Sequence, residues 1–274
     1  MSRILASLLA LVVGSLTPAV ALQVSALGTQ RPAARTPAPP AFTFTVTGTS
    51  FVYSDAQRTF TGVFVVPAGP GPFPAAIVSH GQGGSATGYG LPKATQFQAL
   101  GLVSIAPNYT HAAGGSTLPA ETGNCPENVA RGLACLAVLR SLPYVDGSRV
   151  VLWGHSKGAY ATIGIAAAAP LDFAAAAISA GGIVPDSAGT GSAAPTVGEA
   201  AGVAAPFLMF HGDADTVVSP AQSALFEQQL LAHGVPRLRV IYPGAQHNLH
   251  QVPAIDADML ARWQLWLQSH GVLP

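Results

Sequence analysis

Charge is scarce in this chain. Only 9% of its 274 residues are Asp, Glu, Lys or Arg, twelve of each sign, and the formal net charge is zero. A surface so balanced supplies no basic face for a phosphate backbone and no acidic excess for cations, which argues against a nucleic-acid partner. Cysteine is rarer still, with Cys125 and Cys135 the two present. Two distant cysteines make no zinc site, and the histidines are scattered without H-E-x-x-H spacing. Neither G-x-G-x-x-G nor G-x-x-x-x-G-K occurs, so nucleotide cradles are missing and no cofactor is expected. Internal repeats and heptads are absent as well.

One long apolar run is present, Ile4 to Leu16, preceded by Arg3 and followed by Pro18 and Ala19-Val20-Ala21. It reads as a secretory leader, residues 1–21, cleaved after Ala21. The run is short for a membrane span, so an uncleaved anchor is the weaker alternative and no stable membrane association is expected. Residues 22–41, rich in Pro and Ala, read as an extended linker to a single catalytic domain at 42–274. Export to an oxidising compartment, extracellular or periplasmic, would let a disulfide persist. Geometry argues against pairing Cys125 with Cys135 unless the helix starts later than Pro126 and the loop folds back. Pro126 suits the first turn of a helix, and ten helical residues separate two cysteines by about 15 Å of rise, well beyond the reach of a disulfide.

What the chain has in abundance is apolar residues, 49%, in short runs that alternate with helical patterns. Thr43 to Tyr53 and Thr59 to Val66 read as an antiparallel strand pair turning near Asp55. Buried strands follow at Ala75–Ser79, Leu102–Ala106, Arg149–Trp153, Ala174–Ser179, Pro206–Phe210 and Leu238–Tyr242. Helices are expected at about 94–100, 127–142, 157–169, 220–233 and 254–270. Such alternation requires crossover connections, hence an α/β fold with a mainly parallel sheet of about eight strands covered on both faces.

The apolar run Arg149–Trp153 feeds directly into Gly154-His155-Ser156-Lys157-Gly158, and a small-residue helix leaves it. This strand-turn-helix setting of G-x-S-x-G is a nucleophile elbow, in which glycines let strand and helix approach while the serine is lifted above the sheet. A serine hydroxyl needs a base, and the base needs a carboxylate to orient it. Both types follow Ser156 at strand ends: Asp213 and Asp215 after Phe210, then His247 and His250 after Tyr242. From the residues alone, either aspartate and either histidine fits, since Asp213 and Asp215 both suit turn capping. His155 occupies a variable elbow position, and His233 and His270 end helices, where a cation suits the dipole.

Four motifs in order, Ser79-His80-Gly81-Gln82-Gly83-Gly84, the elbow, His211 to Val218 as H-G-x-x-D-x-x-V, and Gly244 to His247, carry a family resemblance over Phe51 to Leu273. The chain resembles α/β-hydrolases of the dienelactone-hydrolase-like group, and is close also to esterases and to the catalytic domains of prolyl-oligopeptidase-type peptidases. That resemblance implies Asp215 as the acid and His247 as the base. It further implies an oxyanion hole built from the backbone N–H of Lys157 and of Gln82, with Gly83 the alternative donor. Dienelactone hydrolases proper carry cysteine at the elbow; serine here favours a general carboxylester reaction.

The function expected is a secreted serine esterase acting through a Ser156-His247-Asp215 acyl-enzyme on small-molecule or polymer esters with short or medium acyl chains. A peptidase or amidase of prolyl-oligopeptidase type, a polyester depolymerase and a catalytically silent binding protein are the alternatives. Position in the fold nominates Tyr89, Asn108, Tyr109 and the Gly/Ala/Ser/Pro-rich excursion from Gly181 to Ala205 as pocket wall, with aromatic side chains suited to apolar acyl groups. Oligomeric state is not readable from the sequence.

Overall fold

The computed structural model describes residues 41–274 apart from Thr190. The leader read at 1–21 and the linker up to residue 40 lie outside the described residues. Among the described residues nine strands form one sheet in the order β1-β2-β3-β5-β4-β6-β7-β8-β9. They are β1 Phe42–Thr47, β2 Ser50–Asp55, β3 Thr59–Val65, β4 Phe73–Ser79, β5 Val103–Pro107, β6 Val145–His155, β7 Ala175–Ser179, β8 Phe207–Gly212 and β9 Arg237–Tyr242. The first three pair antiparallel and β3 runs antiparallel to β5, while every pair from β5 through β9 is parallel.

The ninth strand corrects the expected eight. The stretch expected as one strand from Thr43 to Tyr53 is a hairpin, because Gly48 at φ +60° lets a two-residue turn fold β1 back onto β2. Elsewhere the strand cores fall where the apolar runs place them. The largest extension is β6, which begins at Val145 rather than Arg149.

Five helices cover the sheet: α1 Leu91–Ala99, α2 Pro126–Ser141, α3 Lys157–Ala168, α4 Pro220–Ala232 and α5 Pro253–Ser269. Strand residues alternate between two cores as the pleat requires. Ile77, Leu152, Phe207 and Met209 pack with residues of α2, α3 and α4, including Leu139, Ile163 and Phe226. Val78, Trp153, Leu208 and Phe210 pack on the opposite face with Phe97 of α1 and Met259, Trp263 and Leu267 of α5. Under that second face Lys93 is buried with its Nζ 2.7 Å from Asp256 Oδ1, tying α1 to α5. Cys125 and Cys135 are both free and buried, Cys125 at the N-terminus of α2 and Cys135 inside it, held apart by that helix. No described helix is long and apolar enough to cross a membrane.

Candidate active site

The elbow forms where β6 ends and α3 begins. Ser156 sits at φ +55°, ψ −122°, outside the ordinary regions for a residue with a Cβ. The flanking glycines are needed by contact. A Cβ on Gly154 would strike the Thr162 hydroxyl and the Gly158 carbonyl, and one on Gly158 would strike the carbonyl oxygens of Ser79 and His80. The Ser156 N–H donates to Ser179 O on β7 (3.0 Å), so the strained turn is held by the sheet.

From the ends of β8 and β9 come the other two residues. His247 Nε2 lies 2.8 Å from Ser156 Oγ, and its Nδ1 lies 2.8 Å from Asp215 Oδ2. Asp215 Oδ1 accepts the N–H groups of Val217 (2.8 Å) and Val218 (2.9 Å), an Asx-type turn that fixes the carboxylate plane. Burial acts to raise the Asp215 carboxyl, but the Val218 amide, the His247 ring and the Val217 amide outweigh it and hold the group below its ordinary value. The carboxylate is therefore ionised. Its acceptor oxygen places the imidazole proton on His247 Nδ1 and leaves Nε2 free to take a proton from Ser156.

The competing candidates do other work. Asp213 Oδ1 accepts the Gly244 N–H at 2.6 Å, linking the two loops as a turn cap. His250 packs edge-on to Tyr89 (5.0 Å between ring centroids) and to His155 (4.6 Å). His155 is buried, its Nδ1 is 3.0 Å from Ser179 Oγ, and desolvation with the nearby His250 and His247 keeps it neutral, well below the usual histidine range.

Opposite the elbow, the loop after β4 runs against Ser156 so closely that a Cβ on Gly81 would lie 3.0 Å from the serine Cβ. Two buried histidines shape this loop, and neither role was legible from the motif. His80 Nε2 accepts the Tyr109 N–H (3.1 Å), so its proton is on Nδ1 and donates to Gly81 O (2.9 Å). His111 donates from Nε2 to His80 O (2.9 Å) and accepts at Nδ1 from Asn128 Nδ2 (3.1 Å). Burial, the leading cause, pushes His111 down to about 3 and keeps it neutral. The Gly83 N–H is spent on His111 O (2.9 Å), whereas the Gln82 N–H has no acceptor among the described residues. The N–H of Lys157, at the first position of α3, has no intrahelical partner either. Two unspent donors thus flank Ser156, the arrangement an oxyanion requires. The Lys157 ammonium is directed elsewhere, 2.9 Å from Thr122 Oγ1.

Beside Ser156 opens a cavity of about 450 Å³, lined by the Gly81–Gly84 loop, Gly88, Tyr89, His155, Val217, His247, Asn248, His250 and Gln251. Tyr89 is in its floor, with its hydroxyl accepting from Trp153 Nε1 (2.9 Å). Asn108 and Tyr109 are not in its wall, which corrects the expectation. Tyr109 is buried with its hydroxyl 2.9 Å from Ser79 Oγ, and Asn108 spends its amide on Ala86 N (2.8 Å) and Thr61 Oγ1 (3.1 Å). The excursion from Gly181 to Ala205 does not line it either. It folds onto α3 and α4, with Ile183 N donating to Gln222 O and Ala194 packed on Tyr160.

Comparison with solved structures places the fold among α/β-hydrolases. Esterase 2 of Thermogutta terrifontis, in its butyrate-bound structure, aligns with TM-score 0.62 at 19% identity, over 85% of this chain and 96% of that one. The acetyl ester-xyloside bifunctional hydrolase of Caldicellulosiruptor lactoaceticus aligns with TM-score 0.64 at 16% identity, over 80% and 90%. The acylaminoacyl peptidase of Pyrococcus horikoshii aligns with TM-score 0.61 at 16% identity over 83% of this chain, which spans only 41% of that one. No curated protein matches the chain by sequence. Residues 60–270, from β3 to the end of α5, match the model of the dienelactone hydrolase family, and the chain belongs to that family.

Proposed function

We propose that this protein is an exported serine hydrolase of carboxylic esters. The observation that carries the proposal is the unbroken line from Ser156 Oγ through the His247 ring to Asp215 Oδ2, with both hydrogen bonds at 2.8 Å. In the proposed reaction Ser156 Oγ attacks the ester carbonyl carbon as its proton passes to His247 Nε2. The carbonyl oxygen gains the charge and is held by the N–H groups of Gln82 and Lys157. Collapse breaks the bond to the alcohol oxygen, which takes the proton from His247 and leaves. Water, deprotonated by His247, then releases the acid and restores Ser156.

Esters are favoured over peptides by the cavity lining, which among the described residues includes no carboxylate to receive a peptide's terminal ammonium. Export rests on the leader sequence at 1–21. The test is to treat the protein with a fluorophosphonate, locate the label, and compare wild type with Ser156→Ala on short-chain p-nitrophenyl esters, peptide amides and a polyester film. Label on Ser156 with ester turnover lost in the variant is the expected result. An unlabelled serine without ester turnover sinks the proposal, and amide cleavage without ester preference replaces it with the peptidase.

A further inference from the structure

Among the described residues the cavity beside Ser156 carries no charged side chain, polar and apolar atoms share its surface about equally, and Val217 is the one aliphatic side chain lining it. Ligand pockets are ordinarily lined by apolar and aromatic side chains with a few polar groups, so this lining is itself informative. The cations nearest in sequence to its lining are committed elsewhere, Lys93 to Asp256 and Lys157 to Thr122. Asp215, behind His247, has both oxygens occupied. A carboxylate or an ammonium on the substrate would lose its water there and gain no counter-charge.

The hydrogen-bonding groups are gathered on one side. His247 must protonate the departing alcohol, so the alcohol lies on the side of the turn that begins with His247. That turn also presents Asn248, His250 and Gln251 to the cavity. Asn248 and Gln251 are exposed on its rim. Across from them, Gln82 spends its NH₂ on Ser116 O (3.2 Å) and keeps its carbonyl oxygen. An amide side chain offers two donors and a two-lone-pair acceptor, a set that matches hydroxyl groups, which both give and accept. A hydrocarbon alcohol in the same place would find Val217 to pack on but would leave those amides without a hydrogen-bonding partner.

Resting on the esterase reading, we infer that the alcohol portion of the substrate is uncharged and bears hydroxyl groups, as in an ester of a polyol or sugar.

The test holds the acyl group constant. kcat/KM is measured for glyceryl monoacetate, n-propyl acetate, acetylcholine and 3-carboxypropyl acetate, each divided by its rate of hydroxide hydrolysis. The glyceryl ester should exceed the propyl ester about tenfold, the worth of one or two hydrogen bonds, and should exceed both charged esters by at least as much. In Gln251→Leu and Asn248→Leu the glyceryl-to-propyl ratio should fall toward one. A propyl ester equal to or better than the glyceryl ester overturns the inference, as does a ratio that survives in both variants. The wild-type series decides alone if neither variant folds. Fluorophosphonate labelling of Ser156 without turnover of glyceryl acetate overturns the substrate class only, whereas an unlabelled Ser156 removes the esterase reading beneath it.

Discussion

Asp215 divides its two oxygens between two tasks, and that division sets what a substitution will do. Oδ1 takes the Val217 and Val218 amides and Oδ2 takes His247 Nδ1. In Asp215→Asn the carbonyl oxygen must stay on the two backbone donors, so the NH₂ faces His247. The ring then accepts at Nδ1 and carries its proton on Nε2, the wrong tautomer for a base. Turnover should drop roughly a thousandfold or more, with thermal stability little changed. Steady-state kinetics beside a thermal melt check this, and a variant within tenfold of wild type would show that Asp215 does not orient the base. Replacing His247 by Ala should cost kcat on a similar scale. His250→Ala should act chiefly through KM, because that ring packs on Tyr89 and His155 and makes no hydrogen bond to Ser156.

At the scale of elements, the elbow and the loop after β4 are one construction. Gly158 in the first turn of α3 abuts the carbonyl oxygens of Ser79 and His80, where β4 passes into the loop that carries Gln82. A methyl group in Gly158→Ala has only backbone to displace, so it should cost about 1–3 kcal/mol of stability and also spread the Gln82 and Lys157 N–H groups proposed to hold the oxyanion. Gly83→Ala is the contrast. It meets nothing within 4 Å and strains only a left-handed backbone at φ +67°. Urea midpoints and kcat for the pair should show turnover falling more steeply in Gly158→Ala than stability alone accounts for. Equal losses of turnover in the two variants would break the link between α3 and the loop.

This coupling also explains what could be read in advance. Strand and helix positions were legible because buried strands and amphipathic helices impose local periods, and the elbow because a turn that tight demands glycine on both sides of the serine whatever packs against it. The hairpin at Gly48 was missed because a two-residue turn, Gly48-Thr49, between Thr47 and Ser50 interrupts a strand pattern hardly at all. His80 and His111 were missed for a different reason. Their partners, Tyr109 and Asn128, lie 29 and 17 residues away, and no local pattern reports a contact across that distance. Tyr109 and Asn108 were assigned to the wall because they follow a strand end, but aromatic and amide side chains there served the loop scaffold instead.

For the whole molecule, the consequence of these scaffolds is sensitivity to acid. Five of the eight histidines, His80, His111, His155, His211 and His250, are held below the usual histidine range, with desolvation the leading cause in each. In the unfolded chain each titrates near 6.5, so below that pH the unfolded state binds protons that the folded state refuses, and stability must fall as pH falls. His111, displaced to about 3, keeps this difference from pH 6.5 down to about 3. It alone should remove about 1.4 kcal/mol per pH unit once the pH is well below 6.5, or about 2 kcal/mol by pH 5. Asp215 contributes nothing to this window: its carboxyl is depressed, so its stabilising contribution is present above about pH 4 and lost only below that. Urea midpoints should therefore be level from pH 8 to 7 and decline steeply from 6.5 to 5. His111→Gln should flatten that decline by about one proton's worth of slope, whatever its effect on stability at pH 7. A midpoint unchanged between pH 7 and 5 would mean that the imidazoles clamping the loop after β4 accept protons in place, and that the loop is not held by neutral histidines.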